Sequence, residues 1–383
     1  MGGFGFTEAQ EMFRREVRNF ARQELPAGAK ERAKRHEPDR EMIAKLAAAD
    51  LLGISLPEKY GGQGGDWISM GIAMEEMGKV DFYASLMPII PGLAYTFLSM
   101  SQEDLIDEWL PPLIKGDKLG CFGVTEADSG SDAAAMKTVA VRDGDDYIIT
   151  GEKISITNAA FADACIFFAK TDPSLKHKGI SAFWVPMDLP GIVKSPIPHT
   201  GWKPAAAASI FMDSVRLPAK YRVGDEGQGF YIFGGATDYL RVGLGLIAIA
   251  MAEASVEETI ANVQQRMAFG KPIAQFEGVS FKIAEHATRI EAAKLLCYRA
   301  FYLKDQGMPH TKESAMVKWW CPEVAFNAVH DCLLLHGHVG YSEEAPLEQR
   351  LRDVMGFEFA DGTAQIMKLV IVRQLIGKAA IPY

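Results

Sequence analysis

The chain has 383 residues, 48% of them hydrophobic, and carries 40 basic against 49 acidic side chains for a net charge of −9 at neutral pH. That apolar content suits a large core built from two or three subdomains and excludes a disordered protein. The acidic balance speaks against nucleic acid as the main partner.

Residues 1–118 read as helices. In "EAQEMFRREVRNFARQEL" the apolar residues Met12, Phe13, Val17 and Phe20 recur at helical spacing, and "REMIAKLAAADLLGI" repeats the pattern. The Gly-rich stretch "PEKYGGQGGDW" (57–67) matches no phosphate-loop fingerprint and reads as a connection. The opening residues lack the apolar region of a secretory signal. The segment "DFYASLMPIIPGLAYTFL" (81–98) is apolar and interrupted by proline.

Residues 119–230 change character. "AVRDGDDYIITGEKISITNAAFADACIFFAKT" has short β-rich runs broken by Asp-Gly and Thr-Gly turns, and "GISAFWVPM" and "SIFMDSVRLP" add further strands. Strands at short intervals without helical runs between them predict a small antiparallel β-barrel or sandwich. From 231 to 383 the pattern is helical again and predicts a four-helix bundle. The run "VGLGLIAIAMAEASV" (242–256) is too short to span a bilayer and reads as a buried helix whose glycines permit close packing. The expected class is α+β, in the order helices, β-domain, helices. Cys121, Cys165, Cys297, Cys321 and Cys332 form no CxxC pair, which argues against zinc or iron–sulfur ligation and suits reduced thiols in the cytoplasm.

Two stretches carry chemistry. In "CFGVTEADSGSDAAAMKTVAV" (121–141), Thr125, Ser129, Gly130 and Ser131 offer hydroxyls and backbone N–H groups to a heterocycle or phosphate; an ordinary Ser/Gly loop is the plain alternative. In "GFEFADGTAQIMKLVIVRQLIG" (356–377), Asp361 precedes Gly362-Thr363 ahead of an apolar helical run. It is either a carboxylate delivered into a site or a turn and helix cap.

The first stretch closely resembles the flavin and substrate loop of the acyl-CoA dehydrogenase family, Thr-Glu-x-x-x-Gly-Ser-Asp, at Thr125, Glu126, Gly130, Ser131 and Asp132. "GEKISITNA" (151–159), "RMAFGKPIAQFEGVSFKIAE" (266–285), "GHVGYSEEAPLEQRLRDV" (337–354) and "ADGTAQI" (360–366) resemble the family's other signatures in order. The resemblance implies bound FAD, an acyl-CoA substrate, an electron-transferring flavoprotein as acceptor, and a homotetramer built as a dimer of dimers. It implies removal of a proton beside the thioester carbonyl by a carboxylate and transfer of a hydride from the next carbon to flavin N5.

By the match, Asp361 stands where the family most often places its base, one methylene shorter than the usual glutamate. The shorter side chain leaves room for a bulky or alicyclic acyl group such as cyclohexane- or cyclohexene-carboxyl-CoA. The alternative base position on another helix is Leu240, which cannot act as one. Phe122, Val124, Thr125, Gly130, Ser131, Ile156, Thr157, Arg266, Phe269, Thr363 and Gln365 match cofactor-binding positions. Asp238, Arg241 and Arg373 match the CoA side, although an exposed i,i+3 pair and a surface arginine are the plain alternatives. Tyr95 and Met87 are candidates for the acyl pocket. Ser155, Glu277, Leu334 and His338 depart from the family pattern. Two other functions stay open: a nitroalkane-oxidase-like flavin oxidase, and a non-catalytic acyl-CoA-binding homologue.

Overall fold

The structure, a computed structural model, describes residues 5–380; residues 1–4 and 381–383, the outer ends of the first and last expected segments, lie outside the described residues. Helices fill the first part of the chain: α1 (Glu8–Glu24), α2 (Ala29–Arg32), α3 (Arg40–Ala48), α4 (Trp67–Gly78), α5 (Phe82–Leu86), α6 (Ile89–Leu98) and α7 (Glu103–Ile114). The helix starts follow local chemistry. Thr7 and Gln10 cap α1 reciprocally, and Asp39, Asp66 and Asp81 each accept a backbone N–H at the starts of α3, α4 and α5.

The middle part holds β1 (Gly120–Gly123), β2 (Val139–Asp143), β3 (Asp146–Ile156), β4 (Ala164–Lys170), β5 (Ile180–Pro186), β6 (Ile192–Pro196), β7 (Ala208–Pro218) and β8 (Arg222–Val223). The pairing order is β6-β7-β3-β2-β4-β5-β8, with β1 also on β4. Two features correct the expected antiparallel barrel. Among the described residues no pairing joins β6 to β8, so the sheet is an open path. Both β1 and β2 run parallel to β4, Cys121 lying opposite Cys165 and Val139 opposite Lys170. A parallel neighbour needs a long connection, and the connection from β1 to β4 carries the Thr125–Asp132 loop.

The third part contains α8 (Gly229–Gln265), α9 (Glu277–Asp305), α10 (Thr311–His336), α11 (His338–Tyr341), α12 (Leu347–Phe357) and α13 (Ala364–Ile376). The run 242–256 lies inside α8, which at 37 residues is long and apolar enough to cross a membrane; 94% of its most apolar window is buried within the protein. Helix α10 packs against α8, α9, α12 and α13. It meets α8 at Gly245, where an added Cβ would lie 2.4 Å from Val317 Cγ1. The two backbones can approach only because that side chain is absent.

The β-part is joined to α12 through Asp353. Its buried carboxylate accepts the N–H of Trp202 at 2.7 Å and the amide of Gln349 at 2.6 Å, while Trp202 Nε1 donates to the Asp353 carbonyl at 2.7 Å. The Trp202 ring packs at a tilt against Phe82 and edge-on against Phe357. Burial pushes the Asp353 carboxyl up to about 6. The folded state therefore holds this proton after the unfolded chain has lost it, and the group's contribution to stability falls as pH rises from about 4 to about 6. Asp353→Asn is expected to lose that dependence, a relative change on the order of 2 kcal/mol across the window. Between pH 4 and 7 the unfolding temperature of wild type should fall relative to that of the variant; parallel curves would contradict the assignment.

Candidate active site

The chain leaves α12 at Phe357 and re-enters helix at Ala364, and Asp361 lies in the connection with φ +54°. Aspartate tolerates this left-handed conformation better than most side chains. Gly362 follows at φ +118°, a conformation that favours glycine, and a Cβ there would also have to displace the Met367 methyl, 2.6 Å away. Thr363, not Asp361, caps α13: its hydroxyl accepts the Ile366 N–H at 3.4 Å. The Asp361 carboxylate is thus released from capping. Among the described residues its N–H meets no acceptor.

Two cations fix this connection from behind. Arg241 Nε donates to the Asp361 carbonyl at 3.1 Å. Lys318 Nζ donates to the Phe357 carbonyl at 2.5 Å and the Gly362 carbonyl at 3.1 Å. Arg241 also pairs with Asp238 at 3.2 Å, and Asp238 accepts from Thr311 Oγ1 at 2.5 Å. Both members of the 238/241 pair are buried, which excludes the reading as an exposed helix pair. Burial raises the Asp361 carboxyl above its ordinary value, and Lys318 and then Arg241 pull it back down. Burial lowers the Lys318 ammonium to about 8 against the opposing field of Asp361. A half-buried carboxylate with a raised pKa, held by its backbone and free at its side chain, suits proton abstraction.

The second cluster lies on the β-part. Glu126 N–H and carbonyl exchange hydrogen bonds with Ser129, and Ser129 Oγ donates to the Asp132 carbonyl at 2.8 Å, so 126–132 is a tight loop. Its anchor is buried. The Glu126 carboxylate accepts from Lys153 Nζ at 2.7 Å and from the backbone N–H groups of Lys137 and Thr138; Lys153 also donates to the Val124 carbonyl at 3.1 Å. The Ile154 N–H donates to the Thr125 carbonyl at 2.9 Å and brings the two motifs together. Strand β3 shifts register between Lys153 and Ile156, where Ser155 has φ +55°. Asn158, at φ +65°, is held by the Tyr83 hydroxyl at 3.2 Å and, through its own N–H, by the Ala205 carbonyl. This kinked segment presents Thr157.

Among the described residues the hydroxyls of Thr125, Ser131 and Thr157 and the N–H groups of Gly130 and Ser131 form no hydrogen bond within the chain. A Cβ on Gly130 would meet only Thr125 Cγ2, at 4.0 Å. Unspent donors on a braced, open loop fit the polar rim and phosphates of a flavin dinucleotide.

The remaining candidates disperse. Val124 and Ile156 are buried beside these loops, and Phe122 stacks in an aromatic group with Phe97, Phe168 and Phe233. Arg266 is exposed and donates to the Leu335 carbonyl at 3.1 Å; Phe269 is 96% exposed at φ +49°. Gln365 and Arg373 are also exposed. Tyr95 is half-buried beside Tyr60, and Met87 is buried in the N-terminal helical core, where it lines a small cavity with Ile43, Leu52 and Leu113. Lys153 and Lys318 escaped the sequence reading, as did the buried pairing of the motif residue Glu126. A lone lysine between Val317 and Trp319 in an apolar helical run was the one available signal.

Family models for the acyl-CoA dehydrogenase N-terminal, middle and C-terminal domains match residues 7–117, 121–215 and 227–376. A relative described as "Probable acyl-CoA dehydrogenase YngJ" of Bacillus subtilis is 37% identical over 380 residues, 97% of this chain and 99% of its own. The solved butyryl-CoA dehydrogenase of Megasphaera elsdenii superposes with a TM-score of 0.93 at 32% identity, covering 98% of this chain and 100% of the other. A chain in the structure of the electron-transferring flavoprotein of Acidaminococcus fermentans gives 0.93 at 34% identity, with 98% and 99% covered.

Proposed function

Since the chain belongs to the acyl-CoA dehydrogenase family, we propose that it desaturates a short or alicyclic acyl-CoA between the α and β carbons, with Asp361 as the base. It is an FAD-dependent oxidoreductase acting on acyl-CoA thioesters. The observation that carries the proposed reading is the Asp361 connection, whose carbonyls are taken by Arg241 and Lys318 while its carboxylate and N–H stay unclaimed.

FAD, when bound, supplies the two-electron acceptor for the hydride leaving the β-carbon. The loop carrying Thr125, Gly130 and Ser131, together with Val124, Ile156, Thr157 and Phe122, would hold it, with Arg266, Phe269, Thr363 and Gln365 as further contacts. The protein's own part is proton chemistry. The Asp361 carboxylate takes the α-proton, and the Asp361 N–H donates to the thioester oxygen as negative charge builds there. Burial raises the proton affinity of Asp361, while Lys318 and Arg241 oppose that rise. Asp238, Arg241 and Arg373 are assigned to the CoA side, and Tyr95 to the acyl end.

Butyryl-CoA dehydrogenase among the similar structures supports a short acyl group. The aspartate supports the finer reading, a ring carboxylate such as cyclohexane- or cyclohexene-carboxyl-CoA, because the shorter side chain sets the base back from a branched α-carbon. The solved flavoprotein assembly containing a similar chain supports an electron-transferring flavoprotein as acceptor. Met267, Phe269, Phe281 and Leu334 expose apolar side chains, which supports burial of such surface in a homotetramer. Five free, buried cysteines accord with the cytoplasm.

Anaerobic addition of butyryl-, isobutyryl-, cyclohexanecarboxyl- and cyclohexenecarboxyl-CoA to the flavoprotein tests this. Bleaching by a ring thioester at least about tenfold faster than by butyryl-CoA is expected, the scale on which acyl pockets discriminate. Faster bleaching by butyryl-CoA would restrict the enzyme to straight chains. Bleaching by no thioester would remove the proposal and leave an oxidase or binding function.

A further inference from the structure

Lys318 is an expensive residue for a helix packed in the core. Its side chain is 1% exposed, and taking an ammonium out of water costs several kcal/mol unless geometry compensates. A methionine would fill the same space without that cost. The lysine makes no direct ion pair among the described residues and spends its donors on two carbonyls, that of Phe357 and that of Gly362. The first ends α12, where the helix dipole and an unpaired carbonyl favour a cation. The second directly follows Asp361. One side chain therefore ties both ends of residues 357–362, and the residue between them in the strained left-handed conformation is the proposed base.

We propose that Lys318 is a positioning residue for Asp361. By bridging the Phe357 and Gly362 carbonyls, it fixes the reach of the Asp361 carboxylate and keeps a positive charge behind it. This rests on the reading of Asp361 as the base. Close helix packing makes the placement possible: Val317 seats against Gly245 of α8, one turn beyond Arg241, so α10 and α8 deliver Lys318 and Arg241 to consecutive carbonyls. The other charged or titratable groups facing this centre are Asp238 on α8, Cys321 on α10, and Glu358 after α12, which itself neighbours Glu323. Arg241 is already committed to Asp238, so Lys318 is the cation whose removal the carboxylate should feel most. The field at Asp361 agrees, Lys318 being the larger of the two influences that oppose burial.

The test uses the flavin-loaded enzyme and its fastest thioester substrate. Flavin bleaching is followed by stopped flow from pH 5 to 9 in wild type, Lys318→Met, Lys318→Gln and Lys318→Arg, with bound flavin and unfolding temperature recorded for each. In Lys318→Met the limiting rate at pH 7 is expected to fall about a hundredfold, the scale of a small misplacement of a reacting group. The half-saturating thioester concentration should change little, since the effect lies on the reacting geometry. The acid limb of the rate profile should move to higher pH, and Lys318→Arg should bring it back. Lys318→Gln keeps a donor without the charge and carries the test if the methionine variant does not fold. A reduced rate with an unmoved acid limb would make the role structural and overturn the proposal, as would wild-type rates or failure of both neutral variants to fold. Asp361→Asn separates the two readings: if it bleaches as fast as wild type, the base assignment itself falls, whatever the lysine variants do.

Discussion

Replacing Asp361 by asparagine should slow flavin bleaching by an acyl-CoA about a thousandfold or more, within the range that loss of a general base produces, while the protein still folds and binds FAD. Asparagine is the informative choice because of the backbone. Residue 361 has φ +54°, a conformation that asparagine shares readily and alanine does not. The contact from Arg241 is to the main-chain carbonyl, so it survives the change, and so does the free N–H. Only the proton acceptor is lost. Asp361→Glu restores an acceptor with one more methylene and should shift preference from ring thioesters toward straight chains. An Asp361→Asn protein that bleaches at the wild-type rate would sink the assignment; one that loses flavin would show that residue 361 acts through the cofactor loops.

The second large effect concerns stability. Glu126→Ala should destabilise the protein by about 3–5 kcal/mol, the cost of breaking a buried ion pair from one side. Lys153 is fully buried and Glu126 5% exposed. Burial would raise the Glu126 carboxyl, but Lys153 and the neighbouring N–H groups hold it below its ordinary value; burial lowers the Lys153 ammonium despite Glu126. Removing the glutamate leaves an uncompensated ammonium and frees the N–H groups of Lys137 and Thr138 from their acceptor. The Thr125–Asp132 loop would then lose its brace, so flavin should dissociate at lower temperature than in wild type. The double variant Glu126→Ala/Lys153→Met should recover part of the loss, because it leaves no unpaired charge. An unfolding temperature for Glu126→Ala equal to that of wild type would refute this account.

Much of the scaffold was legible because burial writes a period into the sequence. Helix α1 and strands β5 and β7 fall where the sequence pattern places them. The parallel placement of β1 and β2 on β4 was not legible, since it depends on partners tens of residues away. The motif singles out Asp361 as the candidate base, but the choice between cap and free carboxylate depended on a backbone angle that Asp-Gly-Thr does not specify. The structure gives the cap to Thr363. The missed residues Lys153 and Lys318, and the missed bracing role of Glu126, share one property: a charge reads as surface until its buried partners are known. Met87 and Tyr95 pose the opposite difficulty, since an apolar residue does not announce in sequence which cavity it lines.

Gly245 sets a spacing, and that spacing has a consequence for how this centre can vary. With Val317 Cγ1 only 2.4 Å from where a Cβ would stand, any larger residue must drive α8 and α10 apart. Arg241 rides on one helix and Lys318 on the other, so both clamps on the Asp361 connection would move together. Tuning of the base by small changes at 241 or 318 is therefore open to divergence only while position 245 stays empty. The hydrogen atom there works as a gauge block between two machine parts, remote from the chemistry yet setting its tolerance.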